Sequence, residues 1–249
     1  VEQQPLYRYY SFGYNYCILR VRPAGGLDKD AVISQLDSFL ASLKEFDLQV
    51  TQKIANELAV ISAELKSSSD KTLSSSMGAR IEAAVDKLDP ALDAELKLRA
   101  AYIMTKKRHA LPSLTESPED LLGKDSWKTL TETSEKDFRS ACMLIALNQP
   151  TGAAFHLMRA LEEQVKVLYF AFKKTKRLAK PMWGPMTAEL RSKNKPKPSE
   201  KLLSHLDGMR VHFRNPTQHP TAFYSMNEAE DLLNQTTVAI GMICAELPP

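Results

Sequence analysis

Glycine is scarce, at 9 of 249 residues, and the evenly spaced turn signals of an all-β sandwich or barrel are missing, so helices are the favoured architecture. Long apolar runs are missing as well. Cys142-Met143-Leu144-Ile145-Ala146-Leu147 falls far short of the roughly 18 to 20 residues that cross a bilayer, and no transmembrane span is expected. Cysteine is limited to Cys17, Cys142 and Cys244, an odd number lying about a hundred residues or more apart, which argues against a disulfide framework and against a zinc site. Cys142 and Cys244 sit in helical apolar patterns, where a thiol acts as a small buried hydrophobe of a reducing compartment, so a cytoplasmic location is expected. The opening Val1-Glu2-Gln3-Gln4 has neither a basic start nor an apolar stretch, and no export signal is expected. Gly-rich phosphate loops and grouped carboxylates are also lacking, so neither a nucleotide cofactor nor a metal is expected.

What is present is an ordinary share of hydrophobic residues, 43%, and of charged ones, 25%, enough to build a core in one or two domains. The net charge of +3 hides an asymmetry. From Lys173 to Arg214 the chain carries +9, leaving −6 for the remainder. A concentrated basic stretch in an otherwise acidic chain suits a polyanion, because neutralised phosphates release counterions whatever the sequence. Lys173, Lys174, Lys176, Arg177, Lys193, Lys195, Lys197 and Arg210 are the candidate contacts. A solvated lysine-rich loop is the competing reading.

Along the chain, residues 6–22 are crowded with aromatic and β-branched side chains before Pro23 and the Gly25-Gly26 turn, which predicts a short strand or arm. From Asp28, apolar residues recur in steps of three and four from Leu36 through Val50 to Leu65, predicting one long helix. The Ser-rich stretch 67–76 ends it. A second helix then carries Met77, Ile81, Val85 and Leu88 up to Asp89-Pro90, where a new helix is expected to open. Residues 1–108 therefore read as a helical hairpin for regulation or partner binding, and 109–130, rich in Pro, Ser and Thr, as the linker. Within 131–249, helices are expected to start near Ser134, at Pro150, near Pro181 and after the Lys195-to-Pro198 loop, and the Ser225-to-Glu228 capping box predicts the last one, near Met226 to Glu246. The fold class is all-α, with a four- to five-helix bundle in the C-terminal half.

One polar, proline-punctuated cluster interrupts these helices: His212-Phe213-Arg214-Asn215-Pro216-Thr217-Gln218-His219-Pro220. An Arg and a His at this spacing arise readily by chance, so the weight comes from position, at an interhelical junction just after the basic stretch.

Here the C-terminal half, about residues 131 to 247, resembles a HEPN domain (higher eukaryotes and prokaryotes nucleotide-binding) of the Abi-like and toxin-like branch. Thr151-Gly-Ala-Ala-Phe-His-Leu-Met-Arg-Ala-Leu-Glu162 is similar to the family's first long core helix, and Trp183-Gly184-Pro185-Met186 to a Trp-containing segment that follows it. Arg214 to Pro220, trailed by Glu228-Ala229-Glu230, is similar to the family's Arg-x4-6-His motif, including the polar residue directly after the Arg. The resemblance implies a HEPN-like bundle and a metal-independent endoribonuclease of a toxin–antitoxin or abortive-infection system. The chemistry fits: RNA brings its own nucleophile in the 2′-OH, so the enzyme has only to move protons and stabilise charge on the phosphate. His219 then serves as general base or acid and Arg214 as phosphate anchor, with Asn215 orienting the His or the scissile phosphate. One His does not comfortably serve as both acid and base, and the family's habit of pairing two motifs across a homodimer predicts a dimer with a composite site.

Other residues have plainer readings. His156 is expected to be a hydrogen-bonded core or interface residue, His212 a flank of the pocket, and His109 and His205 surface residues. Glu162 and Glu163 either support the site from the long helix or, for Glu162, pair with Arg159 or a lysine. Arg214 bonding the last carbonyls of its helix without any reaction is the plain reading of the motif. Against the ribonuclease stand a non-catalytic helical module that binds nucleotide, RNA or a partner protein, and a coiled-coil scaffold. The N-terminal half is open to a sensor role or to docking of an antitoxin.

Overall fold

The computed structural model describes residues 5–21, 26–100 and 102–248. The opening Val1 to Gln4, and Pro23 and Gly25 of the expected turn, lie outside the described residues. The chain is all-α, and the described residues contain no strand beyond an isolated bridge between Asp28 and Thr72. It divides into two units, Val1–Tyr102 and Ile103–Pro249.

The first unit holds α1 (Leu6–Val21), α2 (Lys29–Glu45), α3 (Gln49–Ile54), α4 (Asn56–Ser67) and α5 (Ser75–Lys97). The strand expected at 6–22 is instead helix α1. Its aromatic residues suit a strand by composition, but Phe12, Tyr16 and Leu19 recur at helical spacing, and the ring of Phe12 stacks on Phe39 at 5.4 Å. The single helix expected from 28 to 65 is broken into three. Asp47 takes a left-handed conformation (φ 51°), and Leu48 N–H bonds back to Leu43 O at 3.0 Å, closing α2. The apolar step survives this turn because Leu48 enters the core, while Val50 of the expected stripe is exposed. The break expected at Pro90 does not occur. Pro90 and Asp86, whose carbonyl loses its helical donor, are both on the solvent side, and buried Leu88 and Leu92 hold α5 on either flank. The core is built from Leu36, Phe39 and Leu43, from Leu58, Ile61 and Leu65, and from Ile81, Val85 and Leu88. Each such side chain contributes about 1.5–3 kcal/mol on burial.

The second unit contains α6 (Leu111–Thr115), α7 (Glu119–Leu122), α8 (Lys124–Lys128), α9 (Glu132–Ala146), α10 (Pro150–Phe172), α11 (Trp183–Ser192), α12 (Glu200–Met209), a π-helical turn (Arg210–Arg214), α13 (Asn215–Thr217) and α14 (Met226–Glu246). The segment expected as a linker, 109–130, forms three short helices here and sends Leu114 and Leu122 into the core. Helix α9 begins at Glu132, earlier than expected, because the Thr131 hydroxyl accepts from Ser134 N–H while the Ser134 side chain turns inward to Ala160 O at 2.9 Å. Asn148, left-handed at φ 58°, closes α9, and Pro150 opens α10. These two helices run antiparallel, and beside their connecting turn the missing side chain of Gly152 leaves room for Leu144 of α9. Helix α10 is central and packs on α9, α11 and α14. The capping box at Ser225 and Glu228 is fully formed, as expected.

Candidate functional site

Pro216 shapes the motif. Its ring has no N–H and collides with the carbonyl four residues back, that of His212, if the chain stays α-helical. The chain widens into a π turn instead, in which Asn215 N–H reaches Arg210 O, five residues back. Beyond it, His219 N–H bonds to Pro216 O at 2.8 Å and Ala222 N–H to His219 O at 3.1 Å, a tight turn that pushes the His219 imidazole into solvent. Asn215 and His219 line one open surface depression with Val211, Pro216, Thr221 and Ala222.

Two tethers fasten this segment to α10. At one end Arg214 is gripped by Glu162, Nε to Oε2 and Nη2 to Oε1, both at 3.2 Å, with side chains 28% and 20% exposed. At the other, Tyr224 N–H bonds to Thr151 Oγ1 at 3.1 Å, and the Tyr224 hydroxyl meets Thr217 Oγ1 at 2.8 Å. Of the pairings expected for Glu162, that with Arg159 is not made: its partner is Arg214, while Arg159 faces Asp137. The fork uses only the Nε and Nη2 edge of the guanidinium, and Nη1 has no partner among the described residues. His212 is exposed on the π turn and takes no part in these contacts.

The basic run is less uniform than its sequence. Asp207 gathers Arg191 Nη1 at 2.7 Å, Thr187 Oγ1 at 2.8 Å and Arg210 Nε at 3.6 Å. Burial pushes the Asp207 carboxyl up, but the hydrogen bonds from Arg191 and Thr187 and the charges of Arg191 and Arg210 outweigh it and hold the group below the usual carboxylate range. Arg210, expected to contact RNA, is consumed here: its Nε is buried and its guanidinium rests against Gly184. Lys173 pairs with Glu189 at 3.6 Å, and Arg177 bonds Lys173 O while covering the Phe170 ring at 4.9 Å. Lys193 bonds the carbonyls of Asn194 and Pro196 in its own loop, and Lys197 that of Arg191 near the end of α11. Lys174, Lys176, Lys180, Lys195 and Lys201 have no partner among the described residues, and these carry the free positive charge.

Sequence reasoning missed the role of Asp137. This buried carboxylate on α9 accepts from His156 Nδ1 at 2.7 Å through Oδ1 and faces Arg159 Nε at 3.2 Å through Oδ2. His156 is therefore hydrogen-bonded, as expected. His109 pairs with Asn234 at 3.1 Å, and His205, expected at the surface, is half-buried with Nε2 enclosed. Burial pushes the Cys142 thiol up to about 12, which makes it inert as a nucleophile. Among the described residues no cluster of His, Cys, Asp or Glu forms a metal site, and no helix is long and apolar enough to cross a membrane.

Compared with known proteins, the chain matches no family model, no curated protein and no solved structure.

Proposed function

We propose that the second unit is a HEPN-like, metal-independent endoribonuclease acting in a toxin–antitoxin or abortive-infection system. The observation that carries the reading is the pairing of Arg214 with Glu162, which fixes one edge of the guanidinium on the residue directly before Asn215, and Asn215 lines an open depression with the exposed His219. A guanidinium held this way grips a phosphate without losing its own orientation on binding. His219 takes the 2′-OH proton or delivers one to the leaving 5′-oxygen, and a second copy of the chain supplies the complementary group in a homodimer. Lys174, Lys176, Lys180, Lys195 and Lys201 supply the sequence-independent attraction to RNA.

The test is incubation of wild type and His219→Ala with mixed transfer and messenger RNA in excess EDTA, with fragment ends mapped for 2′,3′-cyclic phosphate. Cleavage by the wild type alone is expected. Intact RNA in both samples, or cleavage that survives the substitution, overturns the reading. A non-catalytic RNA- or partner-binding module is favoured by the same ion pair, since Glu162 neutralises Arg214. It predicts binding that is lost with the free lysines and indifferent to His219.

A further inference from the structure

Between its two tethers α10 presents a face that the ribonuclease reading does not use. Thr151 and Glu162, which hold the motif segment, are separated by about 16 Å along the axis and about 20° around it, at 1.5 Å and 100° per residue. Phe155 and Arg159 lie between them in height and turn progressively away, toward His156 and the flank where α9 packs. One side of this strip is bounded by the segment carrying His219 and the other by α9 with Asp137.

The side chains on the strip are unusual for the back of a packed helix. The Phe155 ring is 38% exposed, edge-on to the His156 ring at 5.8 Å, and the Arg159 guanidinium stands 5.7 Å from its centroid. Arg159 is 48% exposed, yet its Nε edge is turned to a carboxylate only 7% exposed. A buried carboxylate needs compensation, and Asp137 finds it in two groups that both stand on α10. The outcome is a half-exposed arginine held at its Nε by an ion pair, beside an aromatic ring left partly open to solvent. That combination matches what single-stranded RNA offers: unpaired bases that stack on aromatic and guanidinium planes, and a phosphate for every base.

We propose that this strip is a subsite for single-stranded RNA, in which Phe155 stacks one base, Arg159 holds an adjacent phosphate, and Asp137 positions Arg159 and His156. The inference rests on RNA being the ligand of the second unit. It places the substrate strand along α10, passing the Arg214 and His219 segment from the side.

The experiment measures binding and cleavage separately, with the full-length chain in EDTA. Binding is read by fluorescence anisotropy with a labelled, fully 2′-O-methylated 12-nucleotide RNA, which offers no free 2′-OH, and with the same sequence as a duplex. Phe155→Ala and Phe155→Leu are expected to weaken single-strand binding about ten-fold, and Phe155→Trp to restore it, which separates stacking from mere apolar bulk. Arg159→Ala is expected to lower the slope of log affinity against log salt by about one. Asp137→Asn follows Arg159→Ala in binding, and circular dichroism confirms that each variant keeps its helix content. Binding of the variants within two-fold of wild type, or equal wild-type affinity for the duplex, overturns the proposal. Loss of binding in Phe155→Ala without any wild-type cleavage of unmodified RNA supports the subsite and removes the ribonuclease. Wild-type cleavage with unchanged Phe155→Ala binding does the reverse, and a wild type that neither binds nor cleaves RNA overturns both.

Discussion

In the first unit both buried polar side chains have partners: the Thr51 hydroxyl donates to Glu95 at 2.6 Å and the Ser62 hydroxyl to Asp37 at 2.7 Å. In the second, Gln164, Thr236, the Trp183 indole and the His205 ring each keep a buried polar atom with none, and every such atom among the described residues lies in that unit. Unpaired buried polar atoms cost free energy, and proteins retain them mainly where something besides packing is being served. The contrast separates a unit whose buried polar side chains are paired from one in which several are not. It agrees with the placement of the motif cluster and the Asp137 anchor, both in the second unit.

The largest effect that tests this contrast is a cavity in one core. Phe39→Ala removes a fully buried ring and is expected to cost about 3–5 kcal/mol, with hydrogen exchange accelerating in the first unit while amides of α10 and α14 keep their protection. Uniform loss of protection across both units breaks the comparison. Next in size, Gln164→Met replaces an unpaired buried amide with an apolar chain of similar length. It is expected to raise the denaturant midpoint by the equivalent of about 1–2 kcal/mol, whereas an unchanged or lower midpoint means that the amide is satisfied after all.

A smaller and pH-dependent effect belongs to Glu95. Burial pushes its carboxyl up, but hydrogen bonds from the Thr51 hydroxyl and from the Thr51 and Val50 amides, at the start of α3, outweigh that and leave it below the usual carboxylate range. A folded-state pKa below the unfolded value of about 4.3 gives stability that is fully present above that pH and is lost as pH falls through the folded value. Glu95→Gln is therefore expected to cost about 1 kcal/mol near neutrality and to flatten the acid limb of the first unit's unfolding curve. The smallest effect is expected from His219→Ala, within about 0.5 kcal/mol of wild type, because the ring is exposed and without a partner. A larger change would turn His219 into a structural residue.

Legibility in the sequence followed the range of the interaction. The capping box at Ser225 and the proline start of α10 depend on neighbours three residues away or fewer, and both were readable. The ends of α2 and α9 rest on left-handed Asp47 and Asn148, which an unbroken apolar rhythm conceals at the first and a helix stop reveals at the second. Helix α1 has the aromatic composition of a strand, and only its packing on Phe39 shows which spacing matters. At the motif, Arg214, Asn215 and His219 were visible, and Glu162 was one of two open alternatives. The loss of Arg210 to Asp207 was not visible, and neither was the Asp137 anchor, which exists only because α9 runs back along α10.

The π turn holds one residue more than an α turn would, so it acts as a phase shift of about 100° in an otherwise continuous shaft from Glu200 to Thr217. Everything beyond it is aimed by that offset, and Arg214 meets Glu162 only in the shifted phase. Winding therefore matters at this point as much as residue identity. Pro216→Ala, which lets the stretch return to an α turn at unchanged length, would swing the Arg214 guanidinium by about 100° away from Glu162.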